Sequence, residues 1–218
     1  MRRPVVRAVL WDLDGVLVDS APFHLRAWRE LFASLGRGFG EADFRRTFGL
    51  RNDAILRDLL GELPPAEAER LAARKEELYR QAARGNIAAL PGALALLRSL
   101  RERGFRLGLV SSTPRANIDL ILSSLGVSES FDVILGEEDV TRGKPDPEGL
   151  LLAAERLGVP PADCVVIEDA PAGVEAAKGG GMRCVGVYRG RPREALAKAD
   201  LLVETLEDAA VMAEFFGG

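Results

Sequence analysis

The chain has 218 residues, enough for one domain with a sizeable core or for a core domain carrying a smaller insertion. At 47% hydrophobic residues it is globular rather than disordered, and a net charge of -4 gives no electrostatic case for a nucleic-acid or acidic-membrane partner. The apolar stretch in MRRPVVRAVLWDLDG is broken by Arg7 and Asp12, so no signal peptide is read there, no later run spans a bilayer, and a cytoplasmic protein is expected. Cys164 and Cys184 each lie within an apolar run and read as core residues in a reducing compartment.

In chain order, residues 5–10 are apolar or β-branched with one Arg, a first strand that breaks into Asp12, Leu13, Asp14 and Gly15. Pro22 opens a helical pattern in which His24, Ala27, Trp28, Leu31 and Leu35 share one face before Gly36 stops it. The helical signal persists over residues 41–84, where Ile55, Leu56, Leu59 and Leu60 form one apolar set and Pro64 and Pro65 mark a break. Residues 66–84 are rich in Ala, Glu, Arg and Leu, a strong helix composition. No strand-like run lies between Ser20 and Asn86. An all-helical domain over residues 18–87 is therefore predicted, inserted into a core made of residues 1–17 and 88–218.

Beyond Pro91 and Gly92 helix and strand alternate. Helical stripes are Ala93, Leu96, Leu97 and Leu100, then Ile118, Ile121, Leu122 and Leu125, then residues 147–157 and 172–178. Strands are predicted at residues 106–110, 131–135, 164–167, 184–187 and 201–203, with a terminal helix from Leu206. Such alternation implies right-handed crossovers and an α/β fold, a doubly wound and mostly parallel sheet.

Four strand ends are followed at once by polar clusters: Asp12 and Asp14; Ser111, Ser112 and Thr113; Lys144 in GKPDP; Glu168 and Asp169. In a parallel sheet these ends share one edge, so two acidic pairs, hydroxyls and a lysine converge. Clustered carboxylates bind a hard cation, Mg2+ where phosphate is also a ligand, while a hydroxyl and an ammonium hold the remaining phosphate oxygens. A carboxylate also attacks phosphorus, which makes Asp12 the candidate nucleophile and metal ligand and Asp14 the candidate acid and base. Gly15 lets the chain turn sharply beside them. Thr113 is expected to cap the helix from Arg115, with Pro114 at its first position.

These four clusters, in this order, resemble the four signatures of the haloacid dehalogenase superfamily. The resemblance spans nearly the whole chain, the helical insertion matching the small cap that one subclass carries after its first motif. It implies a Rossmann-like core, and within the superfamily the chain is similar to β-phosphoglucomutases and related sugar-phosphate phosphatases. By that resemblance Asp12 is the nucleophile, Asp14 the acid and base, and Ser111 with Ser112 and Lys144 hold the transferring phosphoryl group. Glu168 and Asp169 complete a Mg2+ site with Asp12 and the carbonyl of Asp14. Dehalogenases of the superfamily lack the second Asp, so Asp14 argues for phosphoryl transfer.

In the cap, His24, the sole histidine, reads either as a packed residue or, with Trp28 in H-x-x-A-W, as the mutase histidine that positions the acid/base aspartate. Lys75 in ARKEELY matches a substrate-facing lysine of the mutases and also suits a solvated helix face. Arg51 in FGLRND resembles their distal-phosphate arginine, in a segment one residue shorter than the usual Gly-x-Ser-Arg. The expected activity is Mg2+-dependent phosphoryl transfer from a small sugar phosphate or similar monoester to water, with cap closure excluding water until transfer. The alternatives are a β-phosphoglucomutase, sharing every core residue, and a phosphorylated receiver-like module. The position of the nucleophile and the helical insertion disfavour the module.

Overall fold

The computed structural model describes residues 5–47, 50–190, 192–208 and 216. The chain divides into two compact units, Met1–Asp19 with Ala88–Gly218, and Ser20–Ile87. In chain order, β1 (Ala8–Trp11) precedes the helices of the second unit, α1 (Ala21–Ser34), α2 (Glu41–Thr47), α3 (Asn52–Leu60) and α4 (Pro65–Ala83). The first unit resumes with α5 (Ala93–Glu102), β2 (Arg106–Val110), α6 (Arg115–Leu125), β3 (Val133–Leu135) and α7 (Glu148–Leu157). It ends with β4 (Cys164–Glu168), α8 (Pro171–Gly179), β5 (Arg183–Val187) and β6 (Leu201–Val203).

The strands form one sheet in the order β3-β2-β1-β4-β5-β6, and every pair is parallel. This is the doubly wound, Rossmann-like order, in which the winding reverses between β1 and β4 and ligands bind at the carboxyl ends beside that reversal. Helices on both faces of a parallel sheet leave its central strands no solvent side. All four residues of β1 are accordingly at 0% exposure, which is why the strand is a continuous apolar run rather than an alternating one. Each fully buried Leu or Val here contributes about 1.5–3 kcal/mol. One core cluster packs Leu10, Val166 and Cys184 under Leu150, Ala153 and Leu157 of α7. Both cysteines are free and buried.

Several boundaries differ from expectation for visible reasons. The first strand begins at Ala8, with Val5 68% exposed, and extends to Trp11. The third strand starts at Val133 because Asp132 turns its carboxylate onto the Leu107 N–H at 2.8 Å, occupying the donor that a longer ladder would pair. Of the expected terminal helix, Leu206 and Glu207 form a turn, and residues 209–215 lie outside the described residues. Among the described residues no helix is long and apolar enough to cross a membrane.

In the second unit α1 packs on α4, burying Ala27, Trp28, Leu31 and Phe32 of one and Leu71, Leu78, Tyr79 and Ala83 of the other. Phe39 lies 5.2 Å from Phe32 and 6.0 Å from Trp28, ring centre to centre. Leu35, expected on the buried stripe, instead stands just past the last turn of α1 and is 37% exposed. Prolines open α1 and α4 within their first turns, where the missing N–H has no helical partner to lose.

Candidate active site

The register aligns Trp11 with Leu109 on one side and Ile167 on the other, which brings Asp12, Ser111 and Glu168 out at one edge of the sheet. The Asp12 N–H donates to the Ile167 carbonyl at 3.0 Å, so the ladder continues into the first acidic residue. Beyond it the chain folds tightly: the Leu17 and Val18 N–H groups reach the Leu13 carbonyl, and Gly15 N–H reaches the Val18 carbonyl at 2.8 Å. Gly15 has φ 87°, and a Cβ there would stand 2.2 Å from Asp169 Oδ2. Glycine is thus required twice over, for the left-handed backbone and for the approach of the Asp169 carboxylate.

Lys144 comes from the loop before α7, where its peptide to Pro145 is cis. The Glu148 carboxylate anchors that loop, accepting the Thr141 N–H at 2.8 Å and the Arg142 N–H at 3.1 Å. These bonds, the Thr141 N–H first and the Arg142 side chain next, hold its carboxyl down at about 2. From this loop the Lys144 ammonium donates to Asp12 Oδ1 at 2.6 Å, Glu168 Oε1 at 2.5 Å and the Val110 carbonyl at 3.1 Å. Burial opposes its charge, but Asp12 and Glu168 outweigh that and hold the lysine above its usual range. Glu168 is fixed at its other oxygen too, where Oε2 accepts the Asp169 and Ala170 N–H groups at 2.8 and 2.9 Å. A Cβ on Gly173, in the first turn of α8, would fall 1.8 Å from Glu168 Oε1.

Asp12, Glu168 and Asp169 offer carboxylate oxygens that all lie within 4.8 Å of one another, and all three residues are buried. Burial pushes the Asp12 carboxyl well up; Lys144 acts against this, while Glu168, Asp169 and Asp14 add to it. One ammonium thus faces three crowded carboxylates, and a hard, oxygen-only donor set of this charge suits a divalent cation such as Mg2+.

The hydroxyl cluster departs from expectation at one residue. Ser111 is buried at the end of β2, and Ser112 is half-buried beside it. Thr113 does not cap α6. Its Oγ1 donates to Asp14 Oδ2 at 2.6 Å, while its N–H donates to Ser111 Oγ at 3.1 Å. Pro114 occupies the N-cap position rather than the first turn, and Glu138 takes the Arg115 N–H at 3.0 Å in place of a threonine cap. The sequence placed hydroxyls after β2 but held no signal for which of them faces a residue 99 positions away.

In the helical unit the structure brings His24, Trp28 and Lys75 together. Lys75 Nζ lies 2.7 Å from His24 Nδ1, 2.7 Å from Glu76 Oε1 and 5.3 Å from the centre of the Trp28 ring. His24 stacks on Tyr79 at 4.1 Å. Loss of solvent around the ring, and then the Lys75 ammonium, push His24 well below its usual 6.5. The imidazole is therefore neutral near pH 7, with Nδ1 accepting from Lys75 and the ring proton on Nε2. Trp28 is 2% exposed and belongs to the apolar core of this unit. Arg51 stands exposed at the start of α3, 3.7 Å from Asp53, and it is the neighbouring Asn52 that reaches the cluster, donating to Glu76 Oε1 at 2.8 Å. Residues 48 and 49 of the FGLRND segment lie outside the described residues.

Comparison with known proteins places this geometry. The family profile described as a haloacid dehalogenase-like hydrolase matches residues 6–181. The chain is 36% identical to validoxylamine A 7'-phosphate phosphatase of Streptomyces hygroscopicus subsp. limoneus, over 93% of this chain and 95% of that one. It is 35% identical to the β-phosphoglucomutase of Bacillus subtilis, over 93% and 91% respectively. Its structure resembles that of CbbY from Rhodobacter sphaeroides in complex with phosphate, with a TM-score of 0.87 and 29% identity over 98% of this chain and 99% of that one. The chain therefore belongs to the haloacid dehalogenase-like hydrolases, as an enzyme of phosphate esters, a phosphatase or a phosphomutase.

Proposed function

We propose that the chain is a Mg2+-dependent phosphatase of small sugar phosphates or similar phosphomonoesters, working through a phosphorylated Asp12. The observation that carries this reading is the Lys144 ammonium joining Asp12 to Glu168 at the reversal point of the sheet, with Asp169 beside them. Asp12 and Asp169 would hold Mg2+ together with Glu168 and the Asp14 carbonyl. When bound, the ion neutralises carboxylate and phosphate charge and polarises a phosphoryl oxygen.

The chain's own groups divide the remaining work. Asp12 attacks phosphorus as the bond to the ester oxygen breaks. Asp14 gives its proton to the departing oxygen, then removes one from the water that attacks phospho-Asp12, and is left protonated again. Lys144, Ser111 and Ser112 bind the phosphoryl oxygens, and Lys144 acts against the burial that raises the Asp12 carboxyl. The helical unit selects the substrate, with His24, Lys75, Trp28 and Arg51 as the residues assigned to it. The two free, buried cysteines suit a reducing cytoplasm.

The names of the relatives support a small phosphorylated substrate and leave two outcomes for the phosphoryl group. The contact between Lys75 and His24 favours the second, a β-phosphoglucomutase, because these two residues, with Arg51, are the cap residues that resemble the mutases. Supplying β-glucose 1-phosphate, a bisphosphate primer and Mg2+ separates them. Free phosphate is the expected product; glucose 6-phosphate as the main product overturns the phosphatase in favour of the mutase.

A further inference from the structure

We infer that Thr113 is the positioning residue of the acid/base Asp14, holding its carboxyl group in the orientation that delivers a proton to the leaving oxygen. The inference rests on the proposed phosphoryl transfer through Asp12 and Asp14. Thr113 is 7% exposed, and its hydroxyl meets Asp14 Oδ2 at 2.6 Å.

Both partners are held from their own sides. Thr113 donates its N–H to Ser111 Oγ at 3.1 Å, its carbonyl accepts the Glu137 N–H at 3.2 Å, and Pro114 restricts the backbone that follows. A Cβ on Gly136 would come within 3.0 Å of that carbonyl, so the two segments are close-packed. Asp14 is held by its bridge to Val18 and by the turn at Gly15. Two fixed backbones make the short bond a property of the scaffold. Because Oδ2 accepts the threonine proton, the exchangeable proton of Asp14 is directed to Oδ1. The carboxyl plane stays fixed whether Asp14 has just given that proton to the alcohol or just received one from water.

This role separates from a structural one by the chemistry of the leaving group. An alcohol leaving as an alkoxide needs the proton, whereas p-nitrophenolate leaves without one. The ratio kcat/KM reports the step in which the ester bond breaks, so the slower or faster hydrolysis of phospho-Asp12 does not enter it. In Thr113→Val, kcat/KM for a hexose phosphate is expected to fall by about tenfold to a hundredfold, part of the ~10²–10⁴ that general acid catalysis supplies, and that for p-nitrophenyl phosphate by about threefold at most. Thr113→Ser, which keeps the hydroxyl, is expected to restore the hexose phosphate value. Equal losses on both esters, or a serine variant no better than valine, overturn the inference while the reading of the site stands. Turnover that survives Asp12→Asn overturns the phospho-Asp12 reading and the inference with it.

Discussion

Each unit of this protein buries one lysine against a carboxylate, and the two settings are built to opposite ends. Lys144 reaches from a loop to Asp12 and Glu168, residues 132 and 24 positions away, in a cluster where carboxylates outnumber it. Lys75 pairs with its own neighbour Glu76 and also meets a neutral imidazole. A site that keeps an excess of negative charge suits a cation, which in the proposed function is a divalent ion that accompanies the phosphoryl group. A pair that balances itself keeps its charge and its donors in one place, which suits recognition of uncharged hydroxyls. Buried ion pairs of the second kind contribute little net stability and much geometry.

The largest expected effect lies on the receiving side. Asp12→Asn removes the proposed nucleophile and is expected to lower turnover of p-nitrophenyl phosphate by about four orders of magnitude or more, as removal of a nucleophile does elsewhere. Phosphate release under saturating substrate is the measurement. Activity within tenfold of the parent enzyme would sink the assignment.

Next come the two lysines themselves, compared directly. Taking one partner from a buried pair costs about 3–5 kcal/mol, so Lys144→Met and Lys75→Met are both expected to destabilise their units in urea or thermal unfolding. Magnesium is what separates them. Ligand at about a hundred times its dissociation constant adds about 2.7 kcal/mol to the folded state. The Lys144→Met protein, with its three carboxylates relieved only by the ion, is expected to gain a larger Tm shift from Mg2+ than the parent, and to lose it on chelation. Lys75→Met is expected to shift as the parent does. An equal response in all three proteins would break the comparison.

The receiving site was legible in the sequence because its parts are strand ends. Once continuous apolar runs and helical stripes define a parallel sheet, Asp12, Ser111 and Glu168 must reach one edge, and the register of Trp11 with Leu109 and Ile167 brings them there. The self-balanced pair was only half legible. His24 and Trp28 share a helical face by spacing, but the meeting of Lys75 with His24 spans 51 residues and depends on how α1 packs on α4. Glu76 carried no signal, since adjacent helical residues do not face each other. Thr113 was misplaced for a related reason: a threonine before a proline and a helix has the local signature of a cap, and only the tertiary turn at Gly15 brings Asp14 to it. Local rules therefore located what sits at element ends and missed what one element presents to another.

Acid tests the self-balanced pair by a different route. His24 has its folded value lowered by loss of solvent and by Lys75, so the unfolded chain takes up a proton first as pH falls. The stability involved is fully present above the unfolded value near 6.5 and is lost as pH falls through the lower folded value. The helical unit is expected to weaken in that window, and His24→Gln to flatten the slope. As the chain has one histidine, a single imidazole signal in a proton NMR titration reports the folded value without assignment. A midpoint at or above 6.5 would mean that the ring is not buried beside Lys75 in solution as it is here.

The smallest effect expected concerns Asn52, whose amide donates to the same Glu76 oxygen that Lys75 uses. A hydrogen bond to a charged group is worth about 1.5–3 kcal/mol, and because Asn52 is half-buried, Asn52→Ala is expected to cost only about 1 kcal/mol. The informative quantity is its coupling with Lys75. If Asn52 and Lys75 hold one carboxylate between them, the double variant loses less than the two single variants together, because the second removal acts on a Glu76 already released. Additive losses in a double-mutant cycle would mean that Glu76 is fixed by the helix alone, and that the self-balanced pair owes its geometry to α4 rather than to the bond from α3.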